Sequence, residues 1–430
     1  MLEKYFSLKK NGTSVRTEIM AGLTTFLTMV YIVIVNPAIL HSIGVPFEQV
    51  FMATVISAVI GTLIMGIFAK YPIAIAPGMG LNAYFASVVG SHGLSYQTVF
   101  GTVFLAGLIF LLLSVTKLRE MIIIAIPSSL KYGITAGIGL FIAFLGLKDS
   151  KIVVPNKATM VALGDFSDPI TLLSIAGLFI TLILIVRNVK GAMFFGMLIT
   201  AILGYIFNLL HINGVVSAPP APVFFDVDLG GVFTHNLYAV VFAFLLVTIF
   251  DTTGTLIGVT EQAGLMKDGQ IPRAKMAFLG DAFATTIGSL FGTSPSTAYV
   301  ESSTGVAAGG RTGFTAIIVA ILFALSIFFS PIISAISSLP SITAPVLIIV
   351  GCLMMEGLAK IDWKTFDEAF PAFAIILVMP LTSSISTGIA VGFITYPLLK
   401  LVSGKIKSVH PLIMIFGVVF LIQMIFFPAH

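Results

Sequence analysis

Charge is scarce in this sequence: Asp, Glu, Lys and Arg make up 9% of its 430 residues, against about a quarter in an ordinary soluble domain. A water-soluble globular fold is thereby excluded. There is one cysteine, Cys352, inside an apolar run, so no internal disulfide can form and the redox compartment stays open. The six histidines lie mostly in loops or at the tail, and no His-Glu-x-x-His stretch occurs. That removes a zinc metalloprotease, and a Ser–His protease finds no span-buried histidine. A paired-aspartate protease fits no better, because Gly280-Asp281 lacks the flanking glycine expected of that type. No Lys or Arg sits centrally in an apolar run, so a phosphate or sulfate site would have no cationic anchor. The net charge of +4 is spread over short loops and gives no sign of nucleic-acid binding.

What the chain has instead is apolar length. Hydrophobic residues reach 58% and the mean hydropathy is +1.11, so the bilayer must be the solvent. A crossing helix needs about 20 apolar residues. Runs bounded by charge, Pro and Gly predict spans near 18–36, 50–69, 98–116, 127–147, 170–186, 192–210, 237–260, 274–290, 312–330 and 341–358. Segments 79–91 and 301–310 are too short to cross alone, 371–384 and 388–402 read as a final pair, and 411–427 reads as an extra or interfacial helix. The first 17 residues show no signal-peptide pattern, so the run from about Met20 is expected to be the first membrane helix. Lys70, Lys117 with Arg119, Arg187 with Lys190, Lys267 with Arg273 and Lys275, and Arg311, Lys360 and Lys364 share one side with the N-terminus. Loops 37–49, 211–236 and 331–340 carry no Lys or Arg. The positive-inside rule then puts the N-terminus in the cytoplasm. Loop 148–168 breaks the pattern with three lysines, offset locally by three aspartates.

A weak internal repeat is visible. Phe68 and Pro72 close one span, Phe291 and Pro295 another, at an offset of 291 − 68 = 223 residues. After each Pro the helix signal lapses, and a short Gly-containing segment follows: Gly78-Met79-Gly80-Leu81-Asn82 or Glu301-Ser302-Ser303-Thr304-Gly305. Proline removes a backbone donor and breaks a helix, and irregular backbone survives at membrane depth only where protein or a watery cavity satisfies it. Paired broken segments in corresponding halves point to a transporter's central site; composition alone does not exclude a channel.

Ionisable residues inside spans are costly and functional by default. Asp251 lies well inside the run Phe244–Thr255, with Thr252, Thr253 and Thr255 as conceivable structural braces. Glu301 opens the second broken segment, where free N–H groups favour negative charge. Asp281 could either steady the broken segments or take part in transport. Asn82 offers both donor and acceptor, although small polar residues also join helices. Glu261 and Glu356 sit near span ends and read as interfacial. Two carboxylates suit a neutral solute with N–H donors, together with a proton or Na⁺. A carboxylate in a low-dielectric site can take up a proton near neutral pH, which is a coupling device.

The block Ser289–Gly313, the opening Ala21–Pro37, the stretch Ala76–Tyr84 and Phe250-Asp-Thr-Thr-Gly-Thr255 closely resemble the second nucleobase–cation symporter family. Within it they resemble the AzgA-like adenine/guanine/hypoxanthine branch, over essentially the whole chain. The Gln/Asn-Asn signature of the xanthine/urate branch is replaced by Glu301-Ser302. The resemblance implies an all-α polytopic fold of fourteen spans in two inverted seven-span repeats. It implies a core domain (about 18–116 and 237–330) and a gate domain (about 117–210 and 331–402), with short antiparallel strands at the midplane. It further implies that Asp251 and Glu301 bind a purine base beside the backbone of Tyr299 and Val300. Gly80 and Asn82 would face them from the third span, Asp281 would steady the site, and Asp251 would carry the coupling proton. Tyr299 or Phe26 could cover the ring, and Thr255 stands where uracil-transporting members carry a histidine. No cofactor is expected beyond H⁺, with Na⁺ open. The expected partners are a purine nucleobase and the lipid bilayer of the cell membrane; monomer and homodimer both stay open.

Overall fold

The computed structural model describes residues 2–116, 121, 124–266 and 271–426; Lys117, Arg119 and Lys267, used above for orientation, lie outside the described residues. Among those described, nine helices are long and apolar enough to cross a membrane. The shorter Ala192–Ile206, Phe366–Thr382 and the more polar Ala274–Phe291 add three, and the half-helices Met79–His92 and Ser302–Ala307 add two, giving fourteen segments. A further helix, Pro411–Phe426, has 16 residues and so runs only about 24 Å, short of a ~30 Å hydrocarbon core. Phe416 and Phe420 press it onto Phe242 and Phe393, while Val418, Val419, Ile422 and Ile425 stay exposed.

The repeat is structural. Val15 and Tyr238 open corresponding helices, and Met79 and Ser302 open the two half-helices, each pair 223 residues apart. Between helix and half-helix the chain turns at Lys70 (φ 59°) and at Gly292 (φ 101°), both left-handed. Pro72 and Pro295 then deny the helix its next donor. Strands β1 (Ile75–Pro77) and β4 (Ser296–Ala298) follow and pair antiparallel, Ala76 opposite Thr297. Equivalent segments that meet antiparallel place the two repeats about a two-fold axis that inverts one relative to the other.

A two-stranded ribbon inside a membrane protein has two open edges, and each finds a partner. Thr62 Oγ1 donates to the Ile75 carbonyl at 3.0 Å and accepts from the Ile75 N–H at 2.9 Å. Its repeat equivalent, Thr285, does the same for Ser296, at 3.1 Å both ways. Ser302 Oγ accepts from Ala74 N–H at 3.0 Å, and Tyr299 Oη donates to the Pro77 carbonyl at 2.6 Å.

The helices fall into two packing groups. One gathers Val15–Met29, Phe47–Ile64, Tyr96–Val115, Ala274–Phe291 and Gly313–Ser326; the other gathers Ser128–Asp149, Pro169–Val186, Pro340–Leu353, Phe366–Thr382 and Ile385–Val402. Met79–His92 and Tyr238–Gln262 touch both groups. At Gly80 the approach is so close that a Cβ would lie 2.5 Å from Ile138 Cγ2. Buried charge braces each group. Glu18, fully buried, accepts from Arg311 N–H (2.9 Å), Thr312 Oγ1 (2.8 Å), Thr315 N–H (3.0 Å) and Thr315 Oγ1 (2.6 Å). It thus caps the start of Gly313–Ser326, where negative charge is favoured. Lys400 joins Asp367 at 3.2 Å and Glu368 at 2.6 Å, tying the end of one helix to the start of another.

Two features differ from the sequence reading. The first span is broken, into Val15–Met29 and Ile32–His41. Loop 148–168 contains a hairpin of β2 (Val153–Asn156) and β3 (Met160–Leu163). Its turn is set by Asn156 Oδ1, which accepts from Ala158 and Thr159 N–H at 2.8 and 3.1 Å.

Candidate substrate site

A cavity of about 370 Å³ lies where the ribbon meets the half-helices. Its ribbon side carries Gly78, Met79 and Gly80 from the first broken segment, and Thr297 through Glu301 from the second. Tyr238–Gln262 contributes Phe250, Asp251, Gly254 and Thr255. The facing wall belongs to the other packing group, with Tyr132, Thr135, Val350 and Met354, and it ends at Glu356 and Lys360. Lys360 Nζ stands 5.7 Å from the centre of the Tyr132 ring.

Two carboxylates enter this space from different elements. Asp251, half-buried, lines the cavity beside Thr297 of β4. Glu301 accepts from Tyr31 Oη at 2.6 Å, a short bond of the charge-assisted kind. Tyr31 stands at the turn between Val15–Met29 and Ile32–His41. The second half-helix is held against Val15–Met29 by the Thr28 and Thr304 hydroxyls, 3.0 Å apart.

Asp281 is fully buried and does not line the cavity. Thr252 Oγ1 donates to its Oδ2 and accepts from Ala298 N–H at 3.4 Å. Asp281 therefore reaches β4 through a single hydroxyl, while its Oδ1 has no partner among the described residues. The threonines beside Asp251 are directed elsewhere, Thr252 to Asp281 and Thr253 to the Ile249 carbonyl at 2.5 Å. Successive side chains on a helix point to different faces, so adjacency in sequence does not make a brace.

Of the expected residues, the structure brings together Gly80, Asp251, Thr255, Tyr299, Val300 and Glu301 at the cavity. It does not bring Asn82 or Phe26 there. Asn82 is fully buried and accepts from Ser294 Oγ, with its Nδ2 unpartnered among the described residues. Phe26 packs edge-on against Phe323, 5.2 Å between ring centres. Tyr31, Thr297 and Tyr132 were not singled out from sequence. The available signals were Tyr31's place in the Ala21–Pro37 stretch and Thr297's in the Ser289–Gly313 block; Tyr132 had none.

Inverted repeats whose broken helices meet around a polar cavity define a multi-pass membrane protein of the secondary-transporter class. The fold is shared with the transmembrane domain of the cyanobacterial bicarbonate transporter BicA: TM-score 0.67, 18% identity, 86% of this chain and 97% of that one covered. It is also shared with the murine anion transporter Slc26a9 in its inward-facing state: TM-score 0.67, 12% identity, 91% and 69% covered. Residues 16–391 match the permease family, and the chain belongs to it, a transporter rather than an enzyme. It is 56% identical over 428 residues to the guanine/hypoxanthine permease PbuO of Bacillus subtilis (strain 168), covering 97% of this chain and 99% of that one. It is 45% identical over 434 residues to the adenine permease AdeP of Escherichia coli (strain K12), covering 100% and 97%.

Proposed function

We propose that this protein imports purine nucleobases (hypoxanthine, guanine, with adenine also a candidate) across the cell membrane by proton symport. The observation that carries the reading is the pairing of Asp251 and Glu301 in one cavity between the broken segments. Both can accept from a base's ring N–H groups, with Tyr299, Val300 and Gly80 on the ribbon side of that space and Thr255 on the helix Tyr238–Gln262. The names of the relatives, guanine/hypoxanthine and adenine permeases, support the same class of solute. A volume of about 370 Å³ is at the small end of ligand pockets, ~300–1,000 Å³, which suits a bicyclic base. A same-fold reading with an anion or uracil as solute is weaker, because two carboxylates would oppose an anion and Thr255 replaces the histidine of uracil transporters.

Asp251 is the proposed proton carrier, with Na⁺ as the alternative ion, and Asp281 supports the site through Thr252. One charge moved inward per base is worth ~2.3 kcal/mol per 100 mV, or roughly 50-fold accumulation. The core (about 18–116 and 237–330) moves against the gate (about 117–210 and 331–402). The two packing groups and the tight Gly80–Ile138 approach support that division. The N-terminus is cytoplasmic in this reading, and a cavity wall ending at Lys360 suits an inward-facing state. Uptake of labelled hypoxanthine in a purine-transport-deficient host, competed by a panel of bases, tests the proposal. Preferred uptake of sulfate or of a nucleotide would overturn it.

A further inference from the structure

Glu301 is not held symmetrically. Its Oε1 accepts from Tyr31 Oη at 2.6 Å. No other side-chain donor is hydrogen-bonded to this carboxylate among the described residues. Tyr31 is itself 1% exposed yet forms part of the cavity lining. Its position is set on both sides: the helix resumes at Ile32, and the Thr28–Thr304 contact holds the segment before it against the half-helix that Glu301 opens. The phenol therefore occupies one oxygen and leaves the other without a side-chain donor, on a residue that lines the cavity.

We propose that Tyr31 is a specificity-determining residue, setting the relative affinity for purines with one donor and with two adjacent donors at the pyrimidine-ring edge. The inference rests on the purine reading of the site. Guanine presents N1–H and the 2-amino group side by side, a pair that matches both oxygens of a free carboxylate. Hypoxanthine presents N1–H alone at that edge and needs one oxygen. With Tyr31 on Oε1, the second guanine donor competes with the phenol, and hypoxanthine loses nothing. Removing the hydroxyl frees Oε1 for guanine and gives hypoxanthine no new partner, while both bases lose the anchoring of Glu301.

The test is Tyr31→Phe in the full chain, purified in detergent. Affinities for guanine and hypoxanthine are measured by competition against labelled hypoxanthine, with a melting control. The expected result is a guanine-to-hypoxanthine affinity ratio raised about tenfold, the worth of one hydrogen bond to a charged group. If the Phe variant does not purify folded, Tyr31→Met, which also lacks the donor, is measured in its place with the same expectation. A purely structural role would weaken both bases equally; an unmoved ratio in a protein that still binds them overturns this inference and leaves the purine reading standing. Wild-type protein that binds neither these two bases nor adenine overturns the purine reading and this inference with it.

Discussion

Replacing Glu301 with Gln changes charge with almost no change of shape, and Tyr31 determines what that change does. The amide oxygen of Gln can keep the hydrogen bond that Tyr31 Oη now gives to Oε1 at 2.6 Å. Satisfying Tyr31 in this way turns the amide NH₂ toward the cavity. A carboxylate oxygen that accepted from a base N–H is then replaced by a donor facing a donor. Losing a hydrogen bond to a charged group costs ~1.5–3 kcal/mol, so affinity should fall by about ten- to a hundredfold. The loss should extend to every base that offers a ring N–H. Calorimetry on the purified protein measures it, with expression and thermal melting as controls, since the half-helix remains held by Thr28 and Thr304. Unchanged affinity for every base would refute the reasoning, moving recognition elsewhere and leaving Glu301 as a residue that only begins a helix.

Three other expectations follow from the same geometry. Asp251→Asn should leave the protein folded and able to exchange substrate but abolish concentrative uptake, because an amide cannot cycle a proton; accumulation with normal dependence on the proton gradient would exclude Asp251 as the coupling group. Gly80→Val places a branched side chain where even a Cβ would sit 2.5 Å from Ile138 Cγ2. Overpacking of that kind costs ~1–3 kcal/mol, so transport should slow by about tenfold or more; a wild-type uptake rate in a protein that expresses normally would show that this close approach is not needed for transport. Glu18→Ala strips the acceptor from four donor groups on Arg311, Thr312 and Thr315, at ~1–3 kcal/mol for each group left unpaired. The melting temperature should drop clearly, with Glu18→Gln milder, and a wild-type melting curve for the Ala variant would show that the cap is dispensable.

The membrane class, the 223-residue repeat, the two broken segments and the presence of Asp251, Glu301 and Asp281 inside or beside the spans were legible in the sequence. The reason is that the bilayer acts as a solvent on each residue separately: it penalises charge, and it penalises a proline-broken backbone, whatever the neighbours are. Partnership is different, because it depends on which faces meet. Asn82 and Asp281 are equally polar and equally buried, yet Asn82 turns to Ser294 and Asp281 to Thr252, and neither lines the cavity. Tyr31 meets Glu301 across 270 residues of chain, a pairing that no local pattern reports. Thr62 and Thr285 look like ordinary span threonines until the ribbon edges they satisfy are in place. Composition and spacing determined that two carboxylates would be held at membrane depth between broken helices. The packing of distant helix faces alone decided that the Tyr31 hydroxyl holds Glu301 and the Thr252 hydroxyl holds Asp281.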